Sequence, residues 1–188
     1  MTGESLPTVW VYADESCLGN GREGDNPGGA GGLIEYRRHS DEPVRFDYWV
    51  SEPATTNNRM ALRSAIEAFE ILSRKSNRLS VRFTSDSQYL VKGMNEWVAG
   101  WRARGWRRKA GPIENLAMWQ RAVEVAERHA VEWLWVRGHN LHPENEYADH
   151  LATRAARDLS SSGGPVPSLY GEWLATMRAK GKLTGASR

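Results

Sequence analysis

The feature that most constrains this chain is a change of hydrophobic period near residue 58. Before it come three short segments rich in β-branched and aromatic residues: 8–13 (TVWVYA), 32–36 (GLIEY) and 44–50 (VRFDYWV). Successive strands of this kind, with a turn at Glu42-Pro43, predict an antiparallel meander. After it, Met60, Leu62, Ala65, Ile66, Phe69 and Leu72 recur at helical spacing, with Thr55 or Asn57 placed to cap the start. Strands at 79–84 and 131–136 (VEWLWV) then alternate with helices at 88–101, 114–129 and 144–159. The order βββαβααβα fits neither a helix bundle nor a purely parallel sheet. It predicts an α/β domain whose five-stranded mixed sheet has its first three strands antiparallel and helices flanking its faces.

With 188 residues, the chain is long enough for one domain with a full core. Residues 1–7 read as an N-terminal extension without a signal-peptide pattern, and 8–159 as the domain. Residues 160–168 (SSSGGPVPS) read by composition as a flexible linker. The tail, 169–188, carries Tyr170, Trp173, Leu174 and Met177 at helical spacing. It forms a short amphipathic helix that packs on the domain or recruits a protein partner, or else it stays unpacked. The single cysteine, Cys17, leaves no disulfide within the chain, which fits a reducing compartment, and the cytoplasm is expected. No apolar run approaches the ~18–20 residues of a membrane span, so no membrane partner is expected.

Residues 19–24 (GNGREG) satisfy the dinucleotide-binding pattern G-x-G-x-x-G after a strand. That pattern needs a helix opening at its glycines to hold pyrophosphate. Here Asp25-Asn26-Pro27-Gly28-Gly29 follows, and the next element is a strand, so 19–32 reads as a glycine-rich loop and no dinucleotide is expected.

Three aspartates sit where chemistry is expected. Asp14 and Asp86 each follow a strand, and Asp149 lies in the first turns of the last helix. Carboxylates at strand carboxyl ends point into the crevice where α/β sheets place ligands. Singly, each is more often a turn former or a cap. Together they offer the hard oxygens that Mg²⁺ prefers. His139 and His142 lie three apart with no third soft ligand nearby, which argues against zinc.

The ordered segments DESCLGN (14–20), TTNNRM (55–60), SDSQYLVKG (85–93) and VRGHNLHPENEYAD (136–149) resemble the motifs of type 1 ribonuclease H. Between them, Trp97, Trp101 and Arg104 to Trp106 (RGW), and ENLAMWQ (114–120), match as well. The resemblance spans about residues 8 to 158. It implies the ribonuclease H-like fold and hydrolysis of the RNA strand of RNA–DNA hybrids with two ions of Mg²⁺ or Mn²⁺. It gives Asp14, Asp86 and Asp149 as metal-binding and catalytic aspartates, and His139 as a catalytic histidine on a loop. It also gives Asn20, Thr56, Asn57, Asn58 and Gln88 as contacts to the hybrid, suited to a substrate that is told from DNA by its 2′-hydroxyls.

Between residues 92 and 109, Lys92, Arg102, Arg104, Arg107, Arg108 and Lys109 face only Glu96. This is a phosphate-binding pattern, and by resemblance it is the basic protrusion that grips the DNA strand. Trp97, Trp101 and Trp106 belong to the same candidate surface, although packing the protrusion's own core explains them better. A monomer is expected.

One departure matters. Where the family has a metal-binding glutamate after TTNNRM, this chain has Ala61. The replacement is an engineered inactivation, or a natural loss leaving a hybrid-binding protein, or it is compensated by another carboxylate. Glu15, where the family usually has glycine, is the candidate substitute for both metal binding and catalysis. Strand alternation argues against it, since Asp14 and Glu15 should face opposite ways; its longer side chain argues for it. Glu67 and Glu70 lie about 240° and 180° round the helix from position 61 and face elsewhere.

Overall fold

The computed structural model describes residues 6–19, 26–37, 42–138 and 142–183. Strands β1 (Thr8–Cys17), β2 (Gly28–Tyr36) and β3 (Val44–Glu52) form the predicted antiparallel meander. Helix α1 (Asn57–Leu72), strand β4 (Ser80–Ser85), helix α2 (Gln88–Lys92), a π-helical turn (Gly93–Trp97) and helix α3 (Val98–Ala103) follow. Helix α4 (Leu116–Ala126), strand β5 (Ala130–Trp135), helix α5 (Pro143–Asp158), strand β6 (Val166–Pro167) and helix α6 (Tyr170–Ala179) complete the chain. The sheet runs β5-β4-β1-β2-β3-β6, with β4 parallel to both β1 and β5. It is the expected mixed sheet, with six strands instead of five.

The two-residue period of β1 sorts its side chains between two layers. Val9, Val11 and Ala13 join the core that includes Leu62, Ala65, Ile66 and Phe69 of α1 and Trp119 and Val123 of α4. Tyr12 instead joins Leu33, Tyr147 and Leu151 under α5. One odd face therefore meets α1, and one even face meets α5.

Two expectations change. Residues 28–31 are strand, not loop, although their glycines read locally as a breaker. A Cβ at Gly29 would lie 2.1 Å from the Ala152 carbonyl oxygen, and one at Gly31 2.6 Å from the Ala152 nitrogen. Helix α5 thus rests directly on the backbone of β2, and only glycine leaves it room.

The segment read as a flexible linker is packed along the sheet edge. Ser162 bonds to Trp49 through both its backbone N–H and its hydroxyl, and Val166–Pro167 pairs with Phe46 and Asp47. Composition reports only local preference, whereas the free edge of β3 supplied partners from afar. Pro167, which has no N–H, is tolerated there because the strand is outermost. Tyr170 is 4% exposed, and the Trp173 ring lies 5.1 Å from that of Tyr147. The tail's apolar side is therefore turned onto its own domain. No helix among the described residues is long and apolar enough to cross a membrane.

Candidate active site

The parallel pairing of β1 with β4 sets Ala13 opposite Ser85. The next residue on each side is an aspartate: Asp86 just past β4, and Asp14 still within β1, which runs on to Cys17 instead of ending at residue 13. The two therefore lie side by side where this pairing ends. Asp14, Glu15 and Asp86 each bring a carboxylate oxygen within 4.8 Å of the other two. Asp149 comes from α5, is half-buried, and accepts a bond from its neighbour Thr153 at 3.4 Å.

Asp14 is 6% exposed. Its Oδ1 accepts from the Glu15 backbone N–H at 2.7 Å and its Oδ2 from Asn145 Nδ2 at 2.9 Å. Burial pushes its carboxyl up to about 9, and the charges of Asp86, Glu15 and Asp149 push the same way. Burial likewise raises Glu15 to about 8, helped by Asp86 and Asp149, while a hydrogen bond from the Ser87 hydroxyl opposes the rise. Ser87 also caps α2, accepting from the Leu90 N–H, so the helix start and the carboxylate cluster share one hydroxyl. Gly138 lies against Asp86: a Cβ there would be 2.2 Å from Asp86 Oδ2. The Trp135 indole donates to the Asp86 carbonyl at 2.9 Å.

Carboxylates crowded in this way repel one another unless cations join them. Their hard oxygen donors and the absence of thiolate or imidazole from the trio suit Mg²⁺ or Mn²⁺. The residues present therefore fit a divalent metal centre.

Glu15 reaches the cluster from the α1 layer. Its neighbours by parity are Ala13, which shares a core with Ala61, and Cys17, which packs near Met60. The even positions go the other way: Tyr12 to Tyr147, Asp14 to Asn145, and Ser16 to Thr153. Alternation, which argued against Glu15, thus places it on the side of Ala61, itself 1% exposed. Beyond the last β1–β4 pair, both carboxylates nevertheless bring an oxygen within 4.8 Å of each other and of Asp86.

Thr56, not Thr55 or Asn57, caps α1, accepting from the Arg59 N–H at 3.3 Å. Asn57 and Asn58 open that helix, and Thr55 donates its N–H to the Asn26 carbonyl at 3.0 Å. Gln88 opens α2 beside Asp86 and is exposed. Asn20 and His139 lie outside the described residues.

Lys92, Arg104, Arg107, Arg108 and Lys109 are all exposed. Arg102, also exposed, pairs with Glu127. Trp101 is 8% exposed and meets the rings of Trp97 and Trp119, which together with Tyr89 make one aromatic cluster. Trp106 is half-buried against the same core. A groove lined by Tyr89, Trp97, Trp101, Arg108, Ile113 and Glu114 adjoins this cluster.

Sequence reasoning did not single out Ser87, Trp135 or Asn145. Asn145 had a readable signal: it lies four residues before Asp149 inside a quoted motif, hence on the same face of α5.

The RNase H family model matches residues 7–157. Ribonuclease H of Methylococcus capsulatus is 44% identical over 160 residues, which is 85% of this chain and 96% of that protein. Ribonuclease H of Aromatoleum aromaticum is 42% identical over 159 residues, covering 84% and 96%. Among solved structures, LC9-RNase H1, a type 1 RNase H with the type 2 active-site motif, superimposes with a TM-score of 0.88. It is 60% identical, with 94% of this chain and 85% of that one covered. On these matches, and with its strand-end carboxylates assembled as described, the chain belongs to the ribonuclease H family, type 1.

Proposed function

We propose that this ribonuclease H cuts the RNA strand of RNA–DNA hybrids at the carboxyl end of β1 and β4, as an endonuclease dependent on two divalent cations, Mg²⁺ or Mn²⁺. Asp14, Glu15, Asp86 and Asp149 hold the ions, and Glu15 takes the part of the glutamate absent at position 61. The observation that carries this reading is the Asp14, Glu15 and Asp86 oxygens meeting within 4.8 Å. The alternation of β1, with Ala13 and Cys17 packed on the α1 side, puts Glu15 on that side too. That LC9-RNase H1 joins a type 1 enzyme to a type 2 active-site motif supports a carboxylate set that departs from the usual type 1 pattern.

Two bound ions supply charge stabilisation for both the attacking and the leaving oxygen of a phosphodiester displacement. The chain's own groups do the rest. The carboxylates fix where the scissile phosphate sits. Asn57, Asn58 and Gln88, at the starts of α1 and α2, present amides to the RNA backbone and its 2′-hydroxyls. The exposed cations between Lys92 and Lys109 take the phosphates of the DNA strand. His139 is assigned, by the resemblance of its motif, to proton transfer or product release. Cys17, unpaired in a disulfide, suits a reducing compartment, and the cytoplasm is the proposed setting.

Ala61 favours one other reading, a protein that grips hybrids without cutting them. A labelled RNA–DNA hybrid incubated with Mg²⁺ or Mn²⁺ separates the two. Cutting by the parent, with at least about 100-fold loss in both Glu15→Ala and Asp14→Asn, is expected. Introducing Ala61→Glu into the Glu15→Ala variant should recover part of that loss. A parent that binds hybrid and leaves it intact would establish the second reading instead.

A further inference from the structure

Asn145 is 3% exposed in the first turn of α5. When Asp14 is ionised to take a cation, its carboxylate only accepts, so the amide nitrogen of Asn145 is the atom that faces it. That nitrogen reaches Asp14 Oδ2 at 2.9 Å, while the backbone N–H of Glu15 holds Oδ1 at 2.7 Å. One donor comes from β1 and the other from α5, so the plane of the Asp14 carboxylate is held from two elements. Each oxygen keeps a lone pair for another partner.

Two features set this contact apart from ordinary core packing. The other end of the amide, Asn145 Oδ1, is buried with no hydrogen-bond partner among the described residues. An unmet buried acceptor costs stability, and most buried polar side-chain atoms have a partner. The donor is also neutral. An arginine at this place would cancel the charge that a cation needs, whereas an amide orients the carboxylate and leaves its charge available.

We propose that Asn145 is a positioning residue, holding Asp14 in the orientation in which it accepts a divalent cation and tying the helix that carries Asp149 to β1. This rests on the metal-dependent reading of the site. Loss of a partner that orients a metal ligand typically lowers metal affinity or activity by roughly 10–100-fold.

The test is titration calorimetry with Mn²⁺ on the parent, Asn145→Ala and Asn145→Leu, after thermal melting has shown which variants fold. The two variants remove the same donor but differ in volume, so a shared effect isolates the hydrogen bond from packing. Each folded variant should bind Mn²⁺ roughly 10–100-fold more weakly. Cleavage by the variants should recover toward the parental kcat as Mn²⁺ is raised. A folded variant that binds Mn²⁺ within twofold of the parent overturns the inference. A second measurement needs no variant: in the parent, the side-chain NH₂ resonances of Asn145 should shift on Mg²⁺ addition with the same midpoint as the Glu15 backbone N–H. Resonances that stay still while Glu15 moves overturn it too. A parent that binds neither ion overturns the metal reading beneath, an outcome distinct from normal binding by parent and variants alike.

Discussion

Glu35 and Asp14 occupy the same pair of strands, four rungs apart, and are almost equally hidden, at 1% and 6% exposed. Their surroundings are opposite. Glu35 meets the guanidinium of Arg37 at 2.5 Å and that of Arg45 at 2.6 Å, one on each oxygen. Asp14 meets two neutral donors, and three further carboxylates lie close enough to raise its pKa. Burying a charge is costly unless it is paired. The fold completes Glu35 from its own side chains, but at Asp14 it gathers like charges, and in the proposed reading a metal ion supplies the positive partner. That contrast separates a structural carboxylate from one proposed to hold metal more sharply than burial does.

The largest effect should appear in rate. Asp14→Asn is expected to lower the initial rate of hybrid cleavage at saturating Mg²⁺ by about 10³-fold or more, since a lost ligand removes several kcal/mol of charge stabilisation. Glu35→Gln, assayed where it is folded, should stay within about threefold of the parent. Equal losses in the two variants would erase the distinction between the two carboxylates.

Stability should show the reverse ranking. Glu35→Ala leaves two guanidiniums without their partner and should cost about 2 kcal/mol by denaturant titration, because both can partly turn to water. Metal-free Asp14→Asn should instead gain stability at pH 8, on the order of 1–2 kcal/mol. The sign follows from proton binding. Folded Asp14 and Glu15 titrate near 9 and 8, far above the ordinary carboxylate range, so between about pH 4 and pH 9 the folded state holds more protons than the unfolded state. The metal-free parent therefore loses stability as pH rises through that window, and the gain in Asp14→Asn should vanish near pH 4. Added Mg²⁺ should stabilise the parent more at pH 8 than at pH 5. A gain independent of pH would mean that the carboxylates do not repel as described.

The smallest expected effect concerns His129, a buried titratable group outside the cluster. Its Nδ1 accepts from the Leu79 N–H at 3.3 Å and its Nε2 lies 3.1 Å from Ser73 Oγ. Burial lowers its pKa, as do the charges of Arg128 and Arg78. Here the unfolded chain takes up the proton first, so stability is lost as pH falls through about 6.5 and below, by under about 1 kcal/mol. Thermal melts from pH 7.5 to 5 in the presence of Mg²⁺ should show this slope in the parent and a flatter one in His129→Gln.

Much of this could be read along the chain alone. The three strands, the change to helical period and the order of elements rest on side-chain alternation and capping, which are local. So does the placement of Asp86 just after a strand, and the ordered motifs pointed to the family. The strand read as ending at residue 13 instead runs on through Asp14 to Cys17, because residues 14–17 pair with Gly28 to Gly31 of β2. Contacts between distant segments lay beyond that reach. Nothing near residues 28–31 says that α5 will rest on their backbone, so a strand looked like a loop. Nothing in SSSGGPVPS reveals the open edge of β3, so a bound segment looked free. The two-residue period could say that Asp14 and Glu15 diverge, but not that Glu15 would diverge toward the side of Ala61, because that depends on which layer each helix joins. Asn145 became a partner of Asp14 only when α5 was laid across β2. Period, propensity and motif order are properties of neighbours in sequence; the pairing of a buried charge is settled by neighbours in space.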